Sequence, residues 1–169
     1  PALRTPRVFF YNLTWASELG FDRPPETVDD FRQHACAAAQ ANNSDRTGSN
    51  DGTGGWMVDT DGWSIYAWLK SFGLNNPLQG SPARLTFSQP QTRQAAEFLR
   101  AMVDEGCAFF GRIPPEEAFA TRRALYFSAS LLDLPVLGAA MERFESEDVW
   151  MVLPFPVSDR PVVIVGGLS

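Results

Sequence analysis

Strand-like and helix-like runs alternate along almost the whole chain, and this alternation constrains the fold more than any other feature of the sequence. Val8-Phe9-Phe10-Tyr11 is a short aromatic and β-branched run and reads as a strand. Trp15 to Gly20 reads as a short helix closed by glycine. Thr27 is placed to cap a second helix. Asp30 stands three residues on, as in a capping box, and Val28, Phe31, Ala35 and Ala38 or Ala39 recur at helical spacing to about Ala41. Gly55 to Val58 reads as a strand, and Gly62 to Gly73 as a helix with Ile65, Trp68, Leu69 and Phe72 on one stripe. Arg84 to Phe87 reads as a strand. Ser88 is placed to cap a helix striped by Ala95, Phe98 or Leu99, and Met102 or Val103, ending at Gly106. Pro115 to about Arg122 forms a short helix, Ala124 to Phe127 a strand, Ser128-Ala129-Ser130 a turn, and Leu134 to Phe144 a helix. Val149 to Leu153 and Val162 to Val165 read as buried strands. The polar stretches Asn42 to Gly55 and Asn75 to Pro82 read as loops. Strands alternating with helices predict an α/β layered domain, a small sheet flanked by helices, with residues 1–169 as one domain and no internal repeat.

The composition narrows the partners. A net charge of -6 argues against nucleic acid and anionic membrane surfaces, both of which need a basic face. No apolar run approaches the ~20 residues that span a bilayer. Five tryptophans and 13 phenylalanines give an aromatic surplus, while Lys70 is the only lysine and His34 the only histidine. One histidine excludes a multi-histidine metal site, and no metal or other cofactor is expected. The Asn42–Gly54 loop is rich in oxygen ligands but does not fit the spacing of a calcium-binding loop, since Asn50 stands where a glycine should follow Asp45. His34 reads as a surface or half-buried structural residue. The two ends, Pro1-Ala2-Leu3 and Gly166-Gly167-Leu168-Ser169, read as cuts in a longer polypeptide.

In this order the landmarks resemble the C-terminal lobe of the type II extracytoplasmic solute-binding proteins, the family 1 sugar-binding group that includes maltose- and glycerol-phosphate-binding proteins. Phe10-Tyr11-Asn12 followed by Glu18-Leu19-Gly20-Phe21 resembles the segment leaving the interlobe hinge. Pro24-Pro25-Glu26-Thr27-Val28-Asp29-Asp30-Phe31 resembles the family's Pro-x-Thr-Trp-Glu-Glu helix start, with Val28 in place of tryptophan. Thr86-Phe87-Ser88-Gln89-Pro90 resembles its Phe-Asn-Ser-Pro-Glu signature. Phe119 to Leu125 resembles its Phe-x-x-Gly-x-Ala-Ala-Met element without the glycine expected at Thr121 or Arg122. Val152 to Pro156 and Val165-Gly166-Gly167 resemble the closing strands. The resemblance implies one lobe of a type II periplasmic-binding-protein fold, with the N-terminal lobe and the final helices lying outside this chain. It implies an extracytoplasmic, bacterial, monomeric and non-enzymatic protein that hands a sugar to the membrane permease subunits of an ABC importer.

The resemblance also places the site. Sugars sit between the lobes, stacked on aromatic rings and held through their hydroxyls by carboxylates and main-chain N–H groups. Asp61 and Trp63 at a helix start are the foremost candidates against their readings as an N-cap and a core anchor, with Asp59 as the weaker carboxylate. Ser128 and Ser130 in their turn, Gly166 and Gly167 at a strand end, and Tyr11 near the hinge complete the set. Trp56, Trp68 and Phe72 read as core, and Arg122 and Arg123 as solvent-facing. Relatives often carry cysteines at both Cys36 and Cys107, which implies a disulfide; two buried thiols are the alternative. Asn12-Leu13-Thr14 and Asn42-Asn43-Ser44 are glycosylation sequons in form only, since the family is mostly bacterial. Two other functions compete. A glycerol-phosphate ligand would want a basic clamp, and a glycan hydrolase would need two carboxylates about 5–9 Å apart across a cleft, for which Asp59, Asp61 and Asp133 are available.

Overall fold

The computed structural model describes residues 4–43, 52–74, 78–79, 84–85, 88–156 and 162–167. The strands are β1 (Arg4–Asn12), β2 (Trp56–Met57), β3 (Leu78–Gln79), β4 (Arg84–Leu85), β5 (Ala108–Phe109), β6 (Tyr126–Ser130), β7 (Trp150–Leu153) and β8 (Ile164–Gly167). The helices are α1 (Leu13–Glu18), α2 (Val28–Asn42), α3 (Gly62–Ser71), α4 (Pro90–Asp104), α5 (Pro115–Ala120) and α6 (Leu134–Arg143), with a 3₁₀ turn at Leu131–Asp133. The main sheet runs β5-β2-β6-β1-β7, with β8 also on β1. β2 is parallel to β5 and β6, whereas β1 is antiparallel to β6, β7 and β8. Among the described residues no helix is long and apolar enough to cross a membrane.

Helices cover both faces of this sheet, so β1 has no solvent side, and its Val-Phe-Phe-Tyr run carries no polar alternation. Phe9 and Tyr11 enter one core with Trp56, Tyr126 and Ala108; Val8 and Phe10 enter the other with Met57, Phe127 and Phe109. The first core is an aromatic cluster under α2, α3 and α4, with Phe9 against Phe155 at 4.4 Å and Trp56 against Trp68 at 5.2 Å between ring centroids. The second is closed by α5 and α6. Most helix starts follow local rules. Thr27 and Asp30 form the capping box, and Asp61 accepts from the Trp63 and Ser64 N–H groups. Helix α4 begins after Gln89 with proline in its first turn, not at a Ser88 cap.

Cys36 on α2 and Cys107 before β5 form a disulfide. It closes 71 residues of chain, worth about 4 kcal/mol in the chain-entropy account. The Cys107 carbonyl accepts from the Gly55 and Trp56 N–H groups, so the bridge also anchors β2. Here α2 passes so close that a Cβ at Gly55 would overlap the Ala35 backbone.

Several expectations change. Ser128-Ala129-Ser130 lies inside β6 and pairs with Phe9, Val8 and Arg7, and the turn follows it. Ile65 is 45% exposed rather than core, and Val163 and Val165 are exposed although their run was read as buried. His34 is buried, stacked on Phe21 and hydrogen-bonded through Nδ1 to the Tyr11 hydroxyl at 3.0 Å. Arg122, with its side chain 37% exposed, is held by partners rather than free in solvent. It grips Glu18 at 2.6 and 3.0 Å and Asp148 at 2.6 and 2.8 Å, and Asp148 in turn accepts from Asn12 Nδ2. Arg122 also adopts φ 56°, the left-handed conformation that glycine, missing from this element, would take without strain. Asn12 is fully buried and caps α1, so its own sequon offers no accessible acceptor for glycosylation. Most of the polar loop, at 44–51, and half of the Arg84–Phe87 strand, at 86–87, lie outside the described residues.

Three outcomes follow. Arg122→Ala should lower stability in urea unfolding by about 1–3 kcal/mol, and Arg122→Gly should lose less because it relieves the backbone. Burial lowers the His34 pKa to about 4, only partly offset by Asp30. The unfolded chain therefore binds a proton near pH 6.5 that the folded chain refuses. Stability should fall by on the order of 2 kcal/mol between pH 6.5 and 4 from this group, and that part of the slope should vanish in His34→Gln. Reductant should lower the melting temperature, and alkylation of both cysteines in unreduced folded protein would contradict the bridge.

Candidate functional site

The C-terminal ends of β2, β5 and β6 point to one edge of the sheet, and antiparallel β1 brings its N-terminal half there. Strand register sets Arg7 opposite Ser130 and Phe9 opposite Ser128. On the same edge the chain leaves β2 through Asp59 and turns at Asp61 into α3. In open α/β sheets, ligands bind at such edges.

A hydrogen-bonded framework fills this edge. Arg7 Nη2 lies 2.7 Å from Asp59 Oδ2 and also pairs with the Asp61 carboxylate, while Arg7 Nε donates to Ser64 Oγ at 3.1 Å. The Ser64 hydroxyl donates to Asp59 at 2.9 Å, Ser128 donates to Asp59 at 3.3 Å, and the Asp61 N–H donates to the other Asp59 oxygen at 2.9 Å. Asp61 holds the first turn of α3, accepting from Trp63 N at 2.6 Å and Ser64 N at 3.1 Å. The arginine and the carboxylates are 20–33% exposed, so solvent reaches them while their geometry stays fixed. Beside this framework lies a cavity of about 370 Å³ bounded by Arg7, Asp59, Thr60, Ser128, Glu116 and Asp133. Trp63, next to the Asp61 cap, is 53% exposed and offers a flat aromatic face.

The structure brings Asp61, Trp63 and Ser128 together at this edge. Ser130 is there too, its hydroxyl 2.7 Å from Thr5 Oγ1 and accepting from Leu132 N, with its own N–H held by Asp133. The backbones of Gly166 and Gly167 pair with Thr5 and Arg4 at the same end of β1. Tyr11 is not brought to it. It stands opposite Tyr126, at the start of β6 and the other end of the sheet, 1% exposed and bonded to His34, with burial driving its phenol pKa up. Sequence reading passed over Arg7 and Ser64 and ranked Asp59 second. The available signal was period-2 alternation, which puts Arg7 in line with Phe9 and Tyr11 at the mouth of the Val8–Tyr11 run.

Chemically the arrangement is a fixed array of acceptors and donors. Asp59 serves Arg7, Ser64, Ser128 and the Asp61 N–H at once, and Asp61 is both cap and ion-pair partner. Carboxylates so committed suit hydroxyl binding better than proton transfer.

No protein-family model matches the chain, and no curated protein matches it. Solved structures do. UgpB of Mycobacterium tuberculosis, in complex with glycerophosphocholine, superimposes with a TM-score of 0.73 at 22% identity, over 99% of this chain and 40% of that one. The sugar-binding protein MalE of Xanthomonas citri gives 0.76 at 15%, over 98% and 41%. Maltose-bound MalE3 of T. maritima gives 0.74 at 16%, over 99% and 43%. The chain thus spans about two fifths of the proteins it resembles. At these identities the likeness is one of fold, and with its mixed sheet between two helical layers the chain has the fold of one lobe of these extracellular solute-binding proteins.

Proposed function

We propose that this chain is the ligand-facing C-terminal lobe of an extracytoplasmic solute-binding protein that captures a carbohydrate for an ABC importer, without catalysis. The observation that carries the reading is the built polar edge: two carboxylates, two serines and one arginine held in register beside a cavity, with an exposed tryptophan next to the Asp61 cap. Vicinal hydroxyls pair with carboxylates, and the apolar face of a pyranose stacks on an indole. A second lobe closes over the ligand, which completes the site and drives hinge closure. The released protein then docks, as a monomer, on the permease subunits. The disulfide supports a location outside the cytoplasm, where such bonds persist.

The charge at the edge favours a neutral sugar over a glycerol phosphate. Among the described residues Arg7 is the one cation lining the cavity and is engaged by Asp59 and Asp61, while Glu116 and Asp133 add negative charge. A phosphate would have to take Arg7 from two carboxylates. Thermal-shift measurement on the intact protein tests the reading. A mono- or oligosaccharide should raise the melting temperature by mass action and glycerol phosphates should not. Trp63→Ala should weaken sugar binding about tenfold, equivalent to ~1.4 kcal/mol. A response to glycerol phosphate alone, or none to any sugar, overturns it.

A further inference from the structure

A second cavity, also about 370 Å³, opens on the other side of the segment that leaves β2. Val58, Asp59 and Thr60 line both cavities, so the two spaces adjoin across three consecutive residues. The characters of the two differ. The first mixes charged and hydroxyl side chains with Met57 and Phe127, whereas the second is floored by buried Trp56 and Trp68 and walled by Val58, just past β2, and by Leu99 and Val103 of α4. Its charged neighbours, Arg100 and Asp104, pair with each other on the exposed face of α4 at 3.1 Å. Ile65 and Phe110 line it too and are 45% and 48% exposed.

The space is open to solvent, and water in it finds few polar partners on the apolar walls, so an apolar group that displaces that water gains affinity. Its place beside the hydroxyl-binding edge selects the occupant. We infer that the ligand of this lobe is a glycoside or comparable polyol bearing an apolar arm, aryl or alkyl, and that the arm enters the cavity between α3 and α4 while the sugar ring stays at Asp59, Asp61 and Trp63. The inference rests on the carbohydrate reading of the polar edge. The arm reaches the cavity past Asp59 and Thr60, and Ile65 and Phe110 exchange water for the arm on binding.

Calorimetric titration of the intact protein with methyl, phenyl and hexyl glucosides and maltosides tests this. Phenyl and hexyl glycosides should bind at least tenfold more tightly than the matching methyl glycoside. Val103→Trp, which fills the cavity, should bring that ratio close to one, and so should Leu99→Gln, which puts an amide on its wall and keeps the claim testable if the larger residue unfolds α4. Methyl glycoside binding with no preference for an arm, or a preference that survives both substitutions, overturns this inference and leaves the carbohydrate reading standing. Failure of every glycoside to bind, methyl included, overturns this inference, and the carbohydrate reading falls with it where no sugar raises the melting temperature.

Discussion

The structure depends on the burial of β1 on both faces. One strand supplies Phe9 and Tyr11 to the aromatic core under α2, α3 and α4, and Val8 and Phe10 to the core closed by α5 and α6. It also carries every antiparallel pairing of the main sheet, joining β6 on one side to β7 and β8 on the other. A strand that cannot turn a face to water must meet solvent at an end, and Thr5 and Arg7 provide that end. The antiparallel direction of β1 delivers them to the edge where the parallel strands β2 and β6 finish, so the polar site is a consequence of how the core is built.

Features encoded within a few residues were legible in the sequence. The Thr27–Asp30 capping box and the helix from Gly62 rest on short-range hydrogen bonds, and the α/β layering follows from the alternation of periods. Features that depend on distant partners were not. Strand β5 is only Ala108–Phe109 and gains its place by pairing with β2. Ser128-Ala129-Ser130 has the small polar residues of a turn, yet register with Arg7–Phe9 makes it strand. Tyr11 and Arg7 are four residues apart on one strand, and only the strand's direction in the sheet tells which reaches the edge. Ile65 shares a helical stripe with Trp68, but the space above it is the α3–α4 cavity rather than packed core. Arg122 holds a left-handed backbone that glycine would adopt without strain, and its partners Glu18 and Asp148 are 104 and 26 residues away.

The two halves of the edge answer to different forces. At Asp59 the forces are directional: four donors converge on one carboxylate, and removing any partner leaves the others partly unsatisfied in a half-buried setting. At the α3–α4 cavity the force is area alone, set by Trp56, Trp68 and the side chains of α4. The disulfide steadies both, because Cys107 holds Gly55 and Trp56, and two residues later the chain reaches the segment that the cavities share.

The framework at Asp59 also bears on which ligand is bound most economically. Arg7 and the two aspartates already compensate one another, so their orientations are set before any ligand arrives and little reorganisation is left for binding to meet. A neutral polyol then exchanges water for the partly exposed face of this fixed array, and no ion has to leave water. An anion faces the opposite situation: it must shed its own hydration and separate Arg7 from its partners, with Glu116 and Asp133 opposing it from the far side of the cavity. The ion pairing that holds α3 onto β1 is therefore also the feature on which the proposed preference for a neutral ligand rests.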